Sequence, residues 1–163
     1  MKNIEKYRNL IAKGEVDALL LTSKHNRMYA AEYCVAEGVS VICKEESYYF
    51  TDFRYIEAAQ KNLPGFTVVM TDADHPYTKL INDAIAAHTV KTLGSEMCIR
   101  DREYTLYNTK LNAVLHPYSA EINAPRQSKE PWEIEYMKKA QEITDRTFED
   151  LLNIIRPGMT EKE

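Results

Sequence analysis

Apolar positions along the chain switch between a helical and a strand period, and Gly and Pro mark the switches. Ile4, Tyr7, Leu10 and Ile11 recur at three and four, which predicts a helix over residues 3–13 closed by Gly14. Residues 16–21 form a nearly continuous apolar run, as in a strand covered on both faces; residues 22–26 then turn the chain into a short helix through Tyr29. Residues 39–43 and 48–51 flank a charged turn, Lys44 to Ser47, and read as a hairpin followed by a short helix over 54–60. Beyond Pro64 and Gly65 the pattern alternates: strand 66–70, helix 76–88, a strand starting at Thr92 and Leu93, helix 103–115 and strand 118–122. Alternation of this length implies crossovers with helices on both faces of a mixed sheet, an α/β fold in three layers.

The last forty residues carry the longest periodic stretch. Ile134, Met137, Ala140, Ile143, Phe148, Leu151 and Ile155 lie on one helical face, predicting a single helix over 132–155 with one buried stripe. Ser128 and Pro131 mark its entry, Glu133 and Glu135 stand near the positive end of its dipole, and Arg156, Pro157 and Gly158 mark its exit. Thr160 with Glu161 reads as the cap of a further helix, so the pattern predicts that the chain is the front part of a longer one. The expected division is a domain over 1–125 and a linker with the first helix of another domain over 126–163.

With 163 residues, 44% hydrophobic and 28% charged, the composition is that of an ordered globular domain with an appendage. The net charge of −4 is spread over mixed signs, and the longest basic cluster is Lys138 with Lys139, which argues against nucleic acid as a partner. The first ten residues are charged where a secretory signal needs an apolar core, and the longest aliphatic run, 18–21, is too short to span a bilayer. A cytoplasmic protein without membrane contact is expected. Cys34, Cys43 and Cys98 form no CxxC pair, so buried reduced thiols are expected rather than a disulfide framework or a zinc knuckle.

Phosphate-cradling, zincin and nucleophile-elbow motifs are absent from the sequence. Asp72, Asp74 and His75 have the chemistry of metal ligands, but their place before a helix start near Pro76 favours capping, and no metal site is expected. Ser23, His25 and Asp52 supply the residue types of a nucleophilic triad, with nothing in the sequence that brings them together.

Two phrases at strand ends are more specific. Residues 23–29 (SKHNRMY) and 50–55 (FTDFRY), with Arg126, Lys129, Glu133, Ala140, Asp145 and the run 155–161 (IRPGMTE), resemble the Asn-x-x-Tyr, Thr-Asp-x-Arg-Tyr and interdomain junction signatures of Xaa-Pro aminopeptidases and prolidases, the M24 metallopeptidase family. The resemblance covers essentially the whole chain, departing at Ala30, Ala31 and Glu32, where that family has Leu-Thr-Gly, and at 95–101 (SEMCIRD), which interrupts an expected Gly-x-Glu strand end running into a helix. It implies a creatinase/prolidase N-terminal domain, ribonuclease H-like, with a C-terminal linking helix.

It also implies a parent enzyme that cleaves before proline in peptides, using two divalent metal ions of the manganese or cobalt type. Two Asp, a His and two Glu hold those ions in a C-terminal domain, so this segment should hold no cofactor and be inactive alone. Its implied partners are that domain, a second copy in a homodimer, and a proline-containing peptide. The substrate-proximal candidates are His25, Asn26, Tyr29, Asp52, Arg54 and Tyr55. Either Asp52 caps and Tyr55 packs, or Arg54 or His25 sets a fixed charge near a peptide carboxylate. A creatinase-type amidinohydrolase and a non-catalytic peptide-binding relative share the implied architecture.

Overall fold

A computed structural model describes residues 2–34, 37–96 and 101–162, and their side chains except those of 101–103. The chain divides into two compact units, Met1–Gln127 and Ser128–Glu163.

The first unit is built on a six-stranded sheet. Its strands are β1 (Ala18–Leu21), β2 (Val39–Ile42), β3 (Ser47–Thr51), β4 (Thr67–Met70), β5 (Thr92–Ser95) and β6 (Val114–Pro117), in the order β4-β3-β2-β1-β5-β6. β1 is parallel to β5, β5 to β6 and β3 to β4, whereas β2 is antiparallel to both β1 and β3. Five strands therefore end on the same edge and only β2 runs against them. In open α/β sheets that carboxyl edge is where functional side chains collect.

Alternation within the strands sends neighbours to opposite faces. Leu20, Val41, Phe50 and Leu93 pack with Leu80, Ile81, Ala84 and Ile85 of α4 (Tyr77–Ala87) and with Tyr107 of α5 (Asp101–Lys110). Leu19, Leu21 and Ile42 face α1 (Asn3–Ala12), α2 (Lys24–Ala31) and α6 (Ser119–Asn123) through Tyr7, Ile11, Ala30 and Ile122. Tyr49 continues that face onto Ala59 and Leu63 at α3 (Ile56–Asn62). The expected three layers are present.

Gly94 shows why β5 carries a glycine. A Cβ there would sit 3.0 Å from both Leu19 and the Tyr118 ring, so its absence leaves room for Tyr118 against β5.

Several expectations are corrected. Residues 118–122 are not a strand: Val114–Pro117 is the edge strand, and Tyr118 leads into the five-residue α6. Tyr118 and Ile122 are both buried and four residues apart, a spacing that a single helical turn also produces. The helix expected over 103–115 ends at Lys110, and the one expected over 54–60 is shifted to 56–62. Cys43 is buried as expected, but Cys34 is exposed, and Cys98 lies outside the described residues. So do residues 97–100 of the interrupting stretch.

The second unit is α7 (Pro131–Ile154) and its flanks. Its N-cap is Glu130 rather than Ser128: Glu130 and Glu133 exchange side-chain bonds with each other's backbone N–H, a capping box, with Pro131 at N1. Within this chain no residue of α7 is buried, and Phe148 of the apolar stripe is 60% exposed. Residues 157–158 and 161–162 are turns. No helix among the described residues is long and apolar enough to cross a membrane.

Candidate functional site

The predicted residues all gather on the carboxyl edge, in two groups with different chemistry. His25, Asn26 and Tyr29 follow β1, while Asp52, Arg54 and Tyr55 follow β3.

At the end of β1 the chain meets a residue that the sequence reading passed over. Glu96, directly after β5 and only 3% exposed, accepts from Thr22 N–H at 2.6 Å and Ser23 N–H at 2.8 Å through one carboxylate oxygen. Its other oxygen accepts from Ser23 Oγ at 2.6 Å and from the Asn26 amide. A buried carboxylate is tolerable only when so many donors converge on it. Ser23 is also the N-cap of α2, accepting from Asn26 N–H, so its hydroxyl is committed twice and is no nucleophile beside His25. His25 is exposed, and its side chain makes no hydrogen bond among the described residues. No triad forms.

Asn26, 2% exposed, passes this anchoring on. Its amide nitrogen donates to Glu96 and to Asn123 Oδ1 at 3.0 Å, and its oxygen accepts from Tyr7 at 3.4 Å and Arg126 at 3.2 Å. Tyr29, one turn later, donates to the Pro125 carbonyl at 2.8 Å and accepts from Lys6 at 2.9 Å. Burial pushes the Tyr7 hydroxyl well above the usual tyrosine range, so it stays a neutral donor. Arg27, only 3% exposed, donates to Thr22 O and at 2.9 Å to Tyr49, tying α2 to β3; it too escaped the sequence reading.

The second group is open to solvent. Asp52 accepts from Arg54 N–H at 2.9 Å, and the Arg54 guanidinium closes back on the same carboxylate at 3.1 and 2.7 Å. That hydrogen-bonded pairing holds the Asp52 carboxyl below its ordinary range and raises Arg54 above its own. Asp52 thus caps the turn into Tyr55 rather than α3 itself, whose N-cap is Tyr55 with no side-chain cap. The guanidinium lies 5.0 Å from the centre of the Tyr55 ring, and the Arg54 side chain is exposed. Tyr55 is half-buried and, with Tyr33, Cys34, Tyr49 and Leu63, lines a cavity of about 200 Å³. Beside it Phe53 is 76% exposed.

Asp72, Asp74 and His75 fold into a turn of their own. Asp72 accepts from the N–H groups of Asp74 and His75 and from the His75 ring, which depresses its carboxyl. No three His, Cys, Asp or Glu side chains converge on one point among the described residues, so the two metal ions that the resemblance implies fit none of them.

The sequence profile of the creatinase/prolidase N-terminal domain matches residues 3–128. A Bacillus subtilis protein known as an uncharacterised peptidase is 29% identical over 160 residues, 97% of this chain and 45% of the relative. The crystallised Xaa-Pro dipeptidase from Bacillus anthracis is similar at 30% identity with a TM-score of 0.89, over 99% of this chain and 45% of that one. An X-Pro aminopeptidase from Thermotoga maritima shares the fold at 23% identity and a TM-score of 0.85, over 99% of this chain and 46% of that one. The chain spans less than half the length of these relatives. With the profile running from the start of α1 to the residue after Gln127, the chain belongs to the creatinase/prolidase N-terminal domain family.

Proposed function

We propose that this chain is the non-catalytic N-terminal part of a peptidase that cleaves before proline, and that it shapes the entrance to an active site carried by a separate catalytic domain. The observation that carries the reading is the similarity to the Bacillus anthracis Xaa-Pro dipeptidase over 99% of the chain. In this reading the parent enzyme uses two divalent metal ions held outside the chain, acts in the cytoplasm and works as a homodimer. Chemically, the exposed corner suits the entrance role. Arg54, exposed to solvent, stands over Tyr55, a planar cation able to meet a peptide carboxylate, while Tyr55 walls an aromatic cavity beside it. Asp52 fixes the guanidinium in place, which lowers the entropy lost when a ligand binds.

The purified chain, incubated with Xaa-Pro dipeptides and manganese, is expected to release no proline, because its described residues supply no ligand set for activating water. A protein carrying it ahead of a catalytic domain is expected to release proline, with Arg54→Ala raising KM or lowering kcat at an unchanged melting temperature. Metal-dependent turnover by the chain alone would overturn the reading. Sedimentation of the longer protein at twice the monomer mass checks the homodimer, and a monomer at micromolar concentration removes it.

A further inference from the structure

We propose that Glu96, Asn26, Tyr29 and Arg126 form a latch that fixes the segment by which the chain leaves the sheet, residues 119–127. That segment is weak in itself. It consists of α6, five residues long, and a single 3-10 turn, Ala124–Arg126, elements too short to hold themselves. Ile122 is its one buried side chain within α6, and Ala124 and Gln127 are exposed. Side chains from α2 bond it instead, across nearly a hundred residues of sequence: Asn26 to Asn123, Tyr29 to the Pro125 carbonyl, and Arg126 back to Asn26.

The hydrogen bonding of Asn26 is also complete. A side-chain amide offers two donors and an oxygen with two lone pairs, and Asn26 uses all four, on Glu96, Asn123, Tyr7 and Arg126. Only an amide can do this, because a carboxylate lacks the donors and an apolar side chain lacks everything. Glu96 holds Asn26 from behind, through a carboxylate that also clamps the start of α2. Asn26 and Tyr29 stand three apart on one helical face, so one turn of α2 delivers both contacts to the same stretch. The Asn-x-x-Tyr phrase therefore has a positioning role, setting where the chain leaves the sheet.

Amide exchange of the folded chain tests this, read at residues 122–127 and, as a reference, in α4. Tyr29→Phe removes one hydroxyl at a half-buried position and should speed exchange at Gln127 about three- to tenfold, the effect of one ordinary hydrogen bond on a local opening, while α4 is unchanged. Arg126→Ala should do the same, and Arg126→Lys, which keeps a donor near Asn26, should restore much of the protection. Asn26→Asp should open the segment further, and trypsin should then cut after Lys129 faster. Should Asn26→Asp fail to fold, the Tyr29 and Arg126 variants decide. Unchanged exchange at 122–127 in both, a rise equal to that in α4, or no difference between Lys and Ala at 126 overturns the latch.

Discussion

Replacing Glu96 by Gln keeps the shape of the side chain and removes its charge, which isolates what the buried carboxylate does. One oxygen now receives Thr22 N–H at 2.6 Å, Ser23 N–H at 2.8 Å and the Thr22 hydroxyl at 3.3 Å; the other receives Ser23 Oγ and Asn26. An amide nitrogen placed on the first side would face two backbone donors that cannot turn away. Placed on the second, it faces a hydroxyl that can rotate and an Asn26 amide that cannot, because the Asn26 oxygen is already committed to Tyr7 and Arg126. The milder arrangement still turns charge-assisted bonds into neutral ones and leaves one buried donor unmet, a loss of about 2–4 kcal/mol. With a urea dependence of about 2 kcal/mol per molar, the midpoint should fall by about 1–2 M. Near-ultraviolet circular dichroism of the buried tyrosines, among them Tyr7 and Tyr49, reports this unit without interference from Trp132 in α7 if the Trp132→Phe background is used. A midpoint within about 0.2 M of the parent, at equal slope, would refute the reasoning, since so small a change is what a solvated surface carboxylate gives.

Three further outcomes are expected. Asp17 accepts from the N–H groups of Lys91 and Thr92, which lowers its carboxyl; a group depressed in the folded state stabilises above its unfolded pKa of about 3.9 and loses that contribution as pH falls through the folded value, so Asp17→Asn should be less stable than the parent at pH 7 by a gap that narrows as pH falls below the unfolded value, whereas a constant gap refutes the linkage. In a Cys98→Ser background, Ellman's reagent should find one fast thiol, abolished by Cys34→Ser, while Cys43, whose thiol burial pushes up to about 12, reacts only on unfolding; a fast Cys43 would contradict its burial. Gly38→Ala would place a Cβ 2.4 Å from the Phe50 carbonyl at a φ of +153° and should cost about 2–3 kcal/mol in urea denaturation, an unchanged midpoint showing that the loop gives way.

Much of the architecture was legible because it rests on period and punctuation. The run ending at Leu21, the hairpin across residues 44–46 and the helix bearing Leu80, Ile81, Ala84 and Ile85 carry strong local signals that tertiary packing reinforces. The end of the domain was not, because β6 buries only Leu115 and α6 is a single turn, so neither shows a period of its own. The burial of Glu96 and Arg27 was equally hidden. Nothing local distinguishes a glutamate that will receive four groups from the β1 end from one facing water; the one usable signal was the Gly-x-Glu ending of β5, read as a family feature without a role. Asn26, Tyr29, Asp52, Arg54 and Tyr55 were named from signatures, and the structure places them on one edge. What separates Asn26 and Tyr29 from the solvent-facing corner is the long-range partnership with Asn123, Pro125 and Arg126, which no spacing in the sequence encodes.

A chimera tests the central claim most directly. This chain, through Thr160, would replace the matching first part of the Bacillus anthracis Xaa-Pro dipeptidase, to which it is similar over 99% of its length. Release of proline from an Xaa-Pro dipeptide would be measured against the unaltered enzyme, with circular dichroism and sedimentation confirming the fold. The account predicts that the chimera turns over the dipeptide and that Arg54→Ala in it changes KM or kcat at constant melting temperature. A folded chimera that releases no proline would contradict it.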